Sequence, residues 1–355
     1  MSQSWRPRVL IASLSALGFG IGSFAAAHSR EGPSVSERAS SLRALPLNAI
    51  GITAHYVASI PIPTPLRSTV YKSYCSAVGC NTNEINGALA DFRSIADFFQ
   101  RNLRADARPI DKTAPIVVPC DGTVVAAGPV GAYGSIRVKN VEYRIRELMG
   151  GQDREPLAVS SVSVDESAQS GSKLWYAVIH IRPENCHRFV APTAWQLVER
   201  RRIEGFLLWL NPSINGLYTE NERVAMLGTW NHGLFAMAAV GAAGRGSIKL
   251  DKEDSEFCPR LWPIHGRVST RTFEKVMSMT PGDAVGGFRL GSAIVLVFEA
   301  PEKEFEFLVK PGDVVKLGQR LANVSHSSET DAARSQKEQR IPRRLTSRER
   351  FRRTW

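Results

Sequence analysis

GGFRLGSAIVLVFEAP, from Gly286 to Pro301, sets a Gly-Ser pair at the mouth of an unbroken apolar run. The run from Ala293 to Phe298 is short, rich in β-branched residues and bounded by Gly291 and Pro301, so it reads as a buried strand entered through a turn. Other segments have the same character: IVVPCDGTVVAAG (Ile116–Gly128), GSIRV (Gly134–Val138), LWYAVIHIRP (Leu174–Pro183), GSIKL (Gly246–Leu250) and FEFLVKPGDVVKLGQRL (Phe305–Leu321). The last turns at Pro311-Gly312-Asp313 and closes at Gly318, like the hairpin of lipoyl- and biotinyl-type barrel sandwiches. PCDGTVVAAGPV has a similar look, as though one β unit occurred twice. Residues 150–173 read as a loop insertion.

Ahead of these strands the pattern is helical. SIPIPTPLRSTVYKSYC places prolines before a helix start. In DFRSIADFFQRNLRADARPID, Ser94 and Asp97 have capping-box spacing, and Ile95, Phe98, Phe99 and Leu103 share one helical face that Arg108-Pro109 should end. The expected fold class is α+β, an N-terminal helical portion packed on a largely antiparallel sheet system with barrel-sandwich-like β units.

The 43% hydrophobic and 22% charged fractions exclude a disordered or fibrous chain. Most of the net charge of +11 comes from Arg334 to Arg353, where nine basic residues face only Glu338 and Glu349. No aromatic interleaving or nucleic-acid module accompanies this tail, so nucleic acid is not an expected partner. The five cysteines are too few and too irregular for a disulfide scaffold, and no Cys-x-x-Cys pair suggests zinc. At the other end, Val9 to Ala27 carries no charge and follows Arg6 and Arg8. That length reaches the ~20 residues a membrane span needs. A cleaved signal ending near AAAHS and a mitochondrial presequence remain open, but an anchor is the favoured reading. The expected division is a targeting or transmembrane segment at 1–30, a linker at 31–59, a catalytic domain at 60–325 and a basic tail at 326–355.

Gly-Ser pairs also occur at Gly22, Gly134, Gly171 and Gly246, so the copy at Gly291-Ser292 gains weight only from context. A serine hydroxyl can attack the carbonyl of the preceding residue and exchange the amide for an ester. Glycine there leaves the attack unobstructed and tolerates a twisted backbone. Elimination from the ester would cut the chain and leave dehydroalanine, which hydrolyses to a pyruvoyl group.

From about Ile60 to Leu321 the chain resembles the phosphatidylserine decarboxylases, pyruvoyl enzymes made as self-cleaving proenzymes, and most closely their mitochondrial type. FFQRNLRADARPID (Phe98–Asp111) is similar to the family's FFxRxLKPxxRPID, VVPCDGTV to its SPVDGxV turn, and RPENCHRFVAP (Arg182–Pro192) to its APxDYHxFHSP. LYTENERVAMLGTWNHGLFAMAAVGAAGRGSI resembles the NERV-to-VGA stretch, and FRLGSAIVLVFEAP the LGST cleavage segment. The resemblance implies cleavage between Gly291 and Ser292, a covalent pyruvoyl group formed from Ser292, no metal, and an Asp-His-Ser set in which Asp121, His187 and Ser292 are the matching residues. It further implies decarboxylation of membrane phosphatidylserine to phosphatidylethanolamine and CO2, with His187 as the proton donor. The products of cleavage would be a long chain, 1–291, and a short one, 292–355. An inner-membrane anchor with the catalytic domain facing the intermembrane space also follows by analogy.

Two positions depart from the pattern. Val190 stands where the family has its second histidine, and Ala293 replaces the hydroxyl residue after the serine. His187 could serve both steps, or His180, where the resemblance puts a tyrosine, could be a substitute base. The other reading is a non-catalytic, membrane-anchored phospholipid-binding protein on the same scaffold. Asn221-Glu222-Arg223 is expected to form a structural ion pair, and His232 is a candidate supporting group for the site.

Overall fold

The computed structural model describes Thr53 and residues 56–139, 141–151, 158–159, 162–163, 171–206, 217–241, 248–252, 264–289 and 292–325. The segment 1–30, most of the linker and the tail 326–355 lie outside the described residues. No described helix is long and apolar enough to cross a membrane.

The prolines stand directly before a helix start, as their pattern suggests. A helix runs over Thr64–Val78, with Pro63 at its N-cap and Gly79 in the left-handed region at its end. Ser94 caps a second helix, Ile95–Phe99, by accepting from the Asp97 amide at 3.2 Å. That helix stops at Gln100, well short of the expected Arg108-Pro109 boundary. The reason is that the following backbone has other partners. Leu103 bridges Ile85, the Asn86 amide donates to Asn102, and the Arg104 amide donates to Glu84. Tyr71, Cys75, Ile85 and Phe98 form the small core of this portion.

The strands are β1 (Ile116–Val117), β2 (Gly122–Pro129), β3 (Ser135–Val138), β4 (Val141–Arg144), β5 (Ala158–Val159), β6 (Val162–Ser163), β7 (Ser172–Ile181), β8 (Arg188–Val190) and β9 (Trp195–Ile203). They continue as β10 (Arg223–Trp230), β11 (Gly233–Gly241), β12 (Ile248–Leu250), β13 (Val268–Met279), β14 (Ala284–Phe288), β15 (Ser292–Pro301), β16 (Phe305–Phe307), β17 (Val314–Val315) and β18 (Arg320–Val324). Within the expected insertion at 150–173, β5 and β6 pair as a short hairpin and β7 begins. Eight strands form one antiparallel sheet in the order β13-β9-β10-β11-β15-β7-β2-β17.

The central strand β15 explains its own sequence. Ile294, Leu296 and Phe298 pack into one core with Phe189, Phe288 and Leu321 from the smaller sheets β12-β14-β8 and β1-β18-β16. Ala293, Val295 and Val297 pack into another with Ile136 and Tyr143 of the β3-β4 hairpin and with Leu148 and Tyr218. Both faces are covered, so alternation disappears and the run is apolar throughout. The two segments of similar look also meet in space. Val124 exchanges backbone bonds with Asp313 (2.9 Å) and Gly312 (2.8 Å), and Val118 with Gln319 (2.7 Å) and Gly318 (2.9 Å), so the two turns lie against each other. Gly312 sits at φ 101, which only glycine adopts without strain.

Candidate active site

Four strand ends meet at one edge of the large sheet. Asp121 precedes β2, Ile181 ends β7, Ser292 opens β15 and Gly241 ends β11. Ser292 faces Ile181 on one side and Gly241 on the other, while Ala293 faces His180, which in turn faces Thr123. Asp121 and Ser292 are therefore two strands apart, about 10 Å between backbones. The neighbours are close at this edge. A Cβ on Gly122 would lie 2.5 Å from the His180 carbonyl oxygen and 2.8 Å from Ile179 Cγ2, so the motif requires glycine here for approach rather than for turning.

His187 enters the edge from the neighbouring layer. Its amide donates to the Phe99 carbonyl at 3.0 Å and its carbonyl accepts from the Phe288 amide at 2.9 Å. From Phe288 only residues 289–291 lead into Ser292. The ring is fully buried against Phe99, with centroids 4.6 Å apart. Burial, helped by Arg101, pushes its pKa from 6.5 down to about 3, so the imidazole is neutral at physiological pH. Nδ1 lies 3.0 Å from the Asn185 carbonyl. A carbonyl can only accept, so Nδ1 carries the proton and Nε2 presents a lone pair. Nε2 is buried and has no hydrogen-bond partner among the described residues. His187 is thus arranged as a proton acceptor.

His180 is half-buried. Burial, then Arg182 and Lys139, push its pKa down to about 4. It occupies the strand position beside Ala293, and its charge would oppose any on His187.

Asp121 is buried but engages neither histidine among the described residues. Arg108 grips it with Nε on Oδ1 at 2.8 Å and Nη2 on Oδ2 at 2.7 Å, and the Leu317 amide donates to Oδ1 at 2.9 Å. The same Nη2 donates to Glu84 at 2.7 Å, tying the helical portion to the site. Sequence alone does not single out Arg108 or Glu84: Arg108-Pro109 reads as a helix stop, and the partners of Arg108 lie 13 and 24 residues away. Val190 donates its amide to Pro119, two residues from Asp121, and offers no polar side chain there.

The Asn-Glu-Arg stretch is more than the expected ion pair. Asn221 donates to the Gly241 carbonyl at 2.9 Å, and the Gly241 amide donates to Glu222 at 2.8 Å. Together they fix the strand end that faces Ser292. Arg223 is bound by the carbonyls of Leu148, Thr219, Asn221 and Glu147, while Glu222 approaches Arg202 at 3.8 Å. His232 is removed from any part in the site. It lies at the β10–β11 turn against Trp230, and the length of β11 separates it from Gly241. Among the described residues no cluster of three or more His, Cys, Asp and Glu side chains could hold a metal ion.

The sheet, the gripped aspartate and the buried histidine whose backbone holds Phe288 belong to a known class. Residues 95–323 match the family described as phosphatidylserine decarboxylase, and the chain belongs to that family. It is similar to the phosphatidylserine decarboxylase proenzyme, mitochondrial, of Cricetulus griseus, 32% identical over 75% of this chain and 69% of that protein. It is also similar to phosphatidylserine decarboxylase proenzyme 1, mitochondrial, of Schizosaccharomyces pombe (31% identical, 81% and 82% covered) and of Toxoplasma gondii (35% identical, 76% and 62% covered).

Proposed function

We propose that this chain is a self-processing, pyruvoyl-dependent decarboxylase that converts phosphatidylserine to phosphatidylethanolamine and CO2. The observation that carries the reading is His187, a neutral buried imidazole whose Nε2 has no partner among the described residues and whose backbone carbonyl holds Phe288, four residues before Ser292. In processing, Nε2 takes the Ser292 hydroxyl proton as the oxygen attacks the Gly291 carbonyl. Elimination then releases Gly291 as a carboxylate and leaves dehydroalanine, and water replaces its nitrogen, which departs as ammonia. A pyruvoyl group formed there would supply a carbonyl able to take up the substrate amine and withdraw electrons, and a neutral imidazole on a segment bonded to Phe288 fits the proton transfers that chemistry needs. His187, once protonated, returns a proton to the substrate carbon that has lost CO2. Asp121 fixes the adjoining turns through Arg108 and Leu317. His180, on β7 between the Asp121 and Ser292 strands, is the reserve base for the position vacated at Val190.

The strand order favours a product that stays together. β15 belongs to the short chain 292–355 yet lies between β11 and β7 of the long chain 1–291. The relatives' names carry the word mitochondrial. That supports a mitochondrial protein, and we place its 60–325 domain in the intermembrane space, held at the inner membrane by segment 1–30.

Purified full-length protein, given vesicles of phosphatidylserine labelled in the serine carboxyl, is expected to release labelled CO2, and the Ser292→Ala protein none. The second reading, a phospholipid-binding scaffold without catalysis, is favoured by Val190 and by the engagement of both Asp121 oxygens with Arg108. It predicts vesicle binding with no CO2 from either protein.

A further inference from the structure

Cys75 and Cys80 lie outside the site and take no part in the chemistry proposed for it. Cys75 is on the last turn of the helix Thr64–Val78, which Gly79 ends at φ 83. The amides of Gly79 and Cys80 both turn back to the Cys75 carbonyl, at 2.9 and 3.0 Å. This closure of a helix end folds the second residue past the terminus over the last turn. Here the two side chains that this closure brings to one side of the helix end are both thiols. Both are free thiols in the structure. Because the Cys80 amide bonds directly to the Cys75 carbonyl, the two residues are neighbours in space as well as in the turn, the placement a disulfide needs.

The two thiols are unequal in the way an exchange reaction requires. Cys75 is 3% exposed, whereas Cys80 is half-buried and reachable. The neighbouring Cys75 thiol, with Arg101, lowers the Cys80 thiol below its ordinary value and favours its thiolate. Cys120 and Cys186 differ from Cys80 on both counts: each is buried, and burial pushes each thiol up.

We propose that Cys75 and Cys80 are a redox modification site, a dithiol that closes to an intramolecular disulfide by exchange with a low-molecular-weight disulfide of the glutathione type. The Cys80 thiolate attacks one sulfur of the oxidant, forms a mixed disulfide and expels a thiolate that takes up a proton. Cys75 then gives up its proton and attacks Cys80 Sγ, and the second thiol leaves. The protein loses two electrons and two protons, and one disulfide of the oxidant becomes two thiols.

The test uses the full-length wild-type chain at neutral pH with glutathione disulfide, followed by alkylation, intact mass and peptide mapping. The expected result is a loss of two hydrogen masses, one Cys75–Cys80 bond, and reversal by dithiothreitol. Cys75→Ser should stop at a glutathione adduct on Cys80, and Cys80→Ser should leave Cys75 unmodified. Four results would overturn the proposal. These are a first adduct on Cys75, a bond involving Cys120, Cys186 or Cys258, a wild-type chain that stops at the mixed disulfide, and two free thiols in the folded chain while the urea-unfolded chain reacts.

Discussion

His187 is neutral in the folded protein and would be protonated below its ordinary pKa once unfolded. The folded value of about 3 lies under the unfolded 6.5, so the unfolded chain binds the extra proton first as pH falls. Stability is therefore full above pH 6.5, declines below it, and stops declining on this account near pH 3. At pH 5 the loss is about 2 kcal/mol, being roughly 1.5 pH units at about 1.4 kcal/mol each. His180, with a folded value of about 4, adds a loss of similar sign. The clean measurement is a double difference in the uncut Ser292→Ala chain. Urea unfolding at pH 7 and pH 5 is compared with that of the same chain carrying His187→Asn, whose amide can still donate to the Asn185 carbonyl. The variant should lose about 2 kcal/mol less between the two pH values, whatever its own stability. Identical pH dependence in the two chains would refute the neutral, acceptor-poised imidazole on which the mechanism rests.

Other substitutions test the supporting geometry. Arg108→Gln leaves the Asp121 carboxylate, 4% exposed, without its cation and should cost about 3 kcal/mol in urea unfolding. Adding Asp121→Asn should recover part of that loss, and strict additivity would show that the pair is not coupled. Gly122→Ala drives a methyl to 2.5 Å from the His180 carbonyl, so β2 must move off β7. We expect a cost of about 1–3 kcal/mol, with abolished self-cleavage read on a denaturing gel. Asn221→Ala strips the Gly241 carbonyl of its donor and should slow self-cleavage while costing about 1–3 kcal/mol. An unchanged cleavage time course would remove Asn221 from the group that positions Ser292.

The sheet was legible because its signals are local. The short β-branched runs became β2, β3, β7, β12 and β15, and the two Gly-Asp-type turns became mutually paired loops. Ser94 and Asp97 gave the helix start correctly, since a cap involves residues three apart. The end of that helix was not legible, because the Arg104 amide goes to Glu84 and Leu103 to Ile85, partners that only tertiary structure supplies. The same holds at the site. Asp121, His187 and Ser292 could be matched to a family pattern, but the bond from Arg108 to Asp121 spans 13 residues and that from Leu317 spans 196. Asn221 reached significance only through Gly241, the register partner of Ser292. His232 misled for the converse reason, since nearness in a motif put it at the far end of a strand.

The most direct measurement is the mass of the smaller fragment from purified full-length protein, with and without a hydrazide reagent. A fragment that starts at position 292 with a ketone in place of its amine, and that gains the mass of one hydrazone, is the predicted result. A single intact chain near 39.0 kDa, or a fragment beginning with an ordinary serine, would contradict the account.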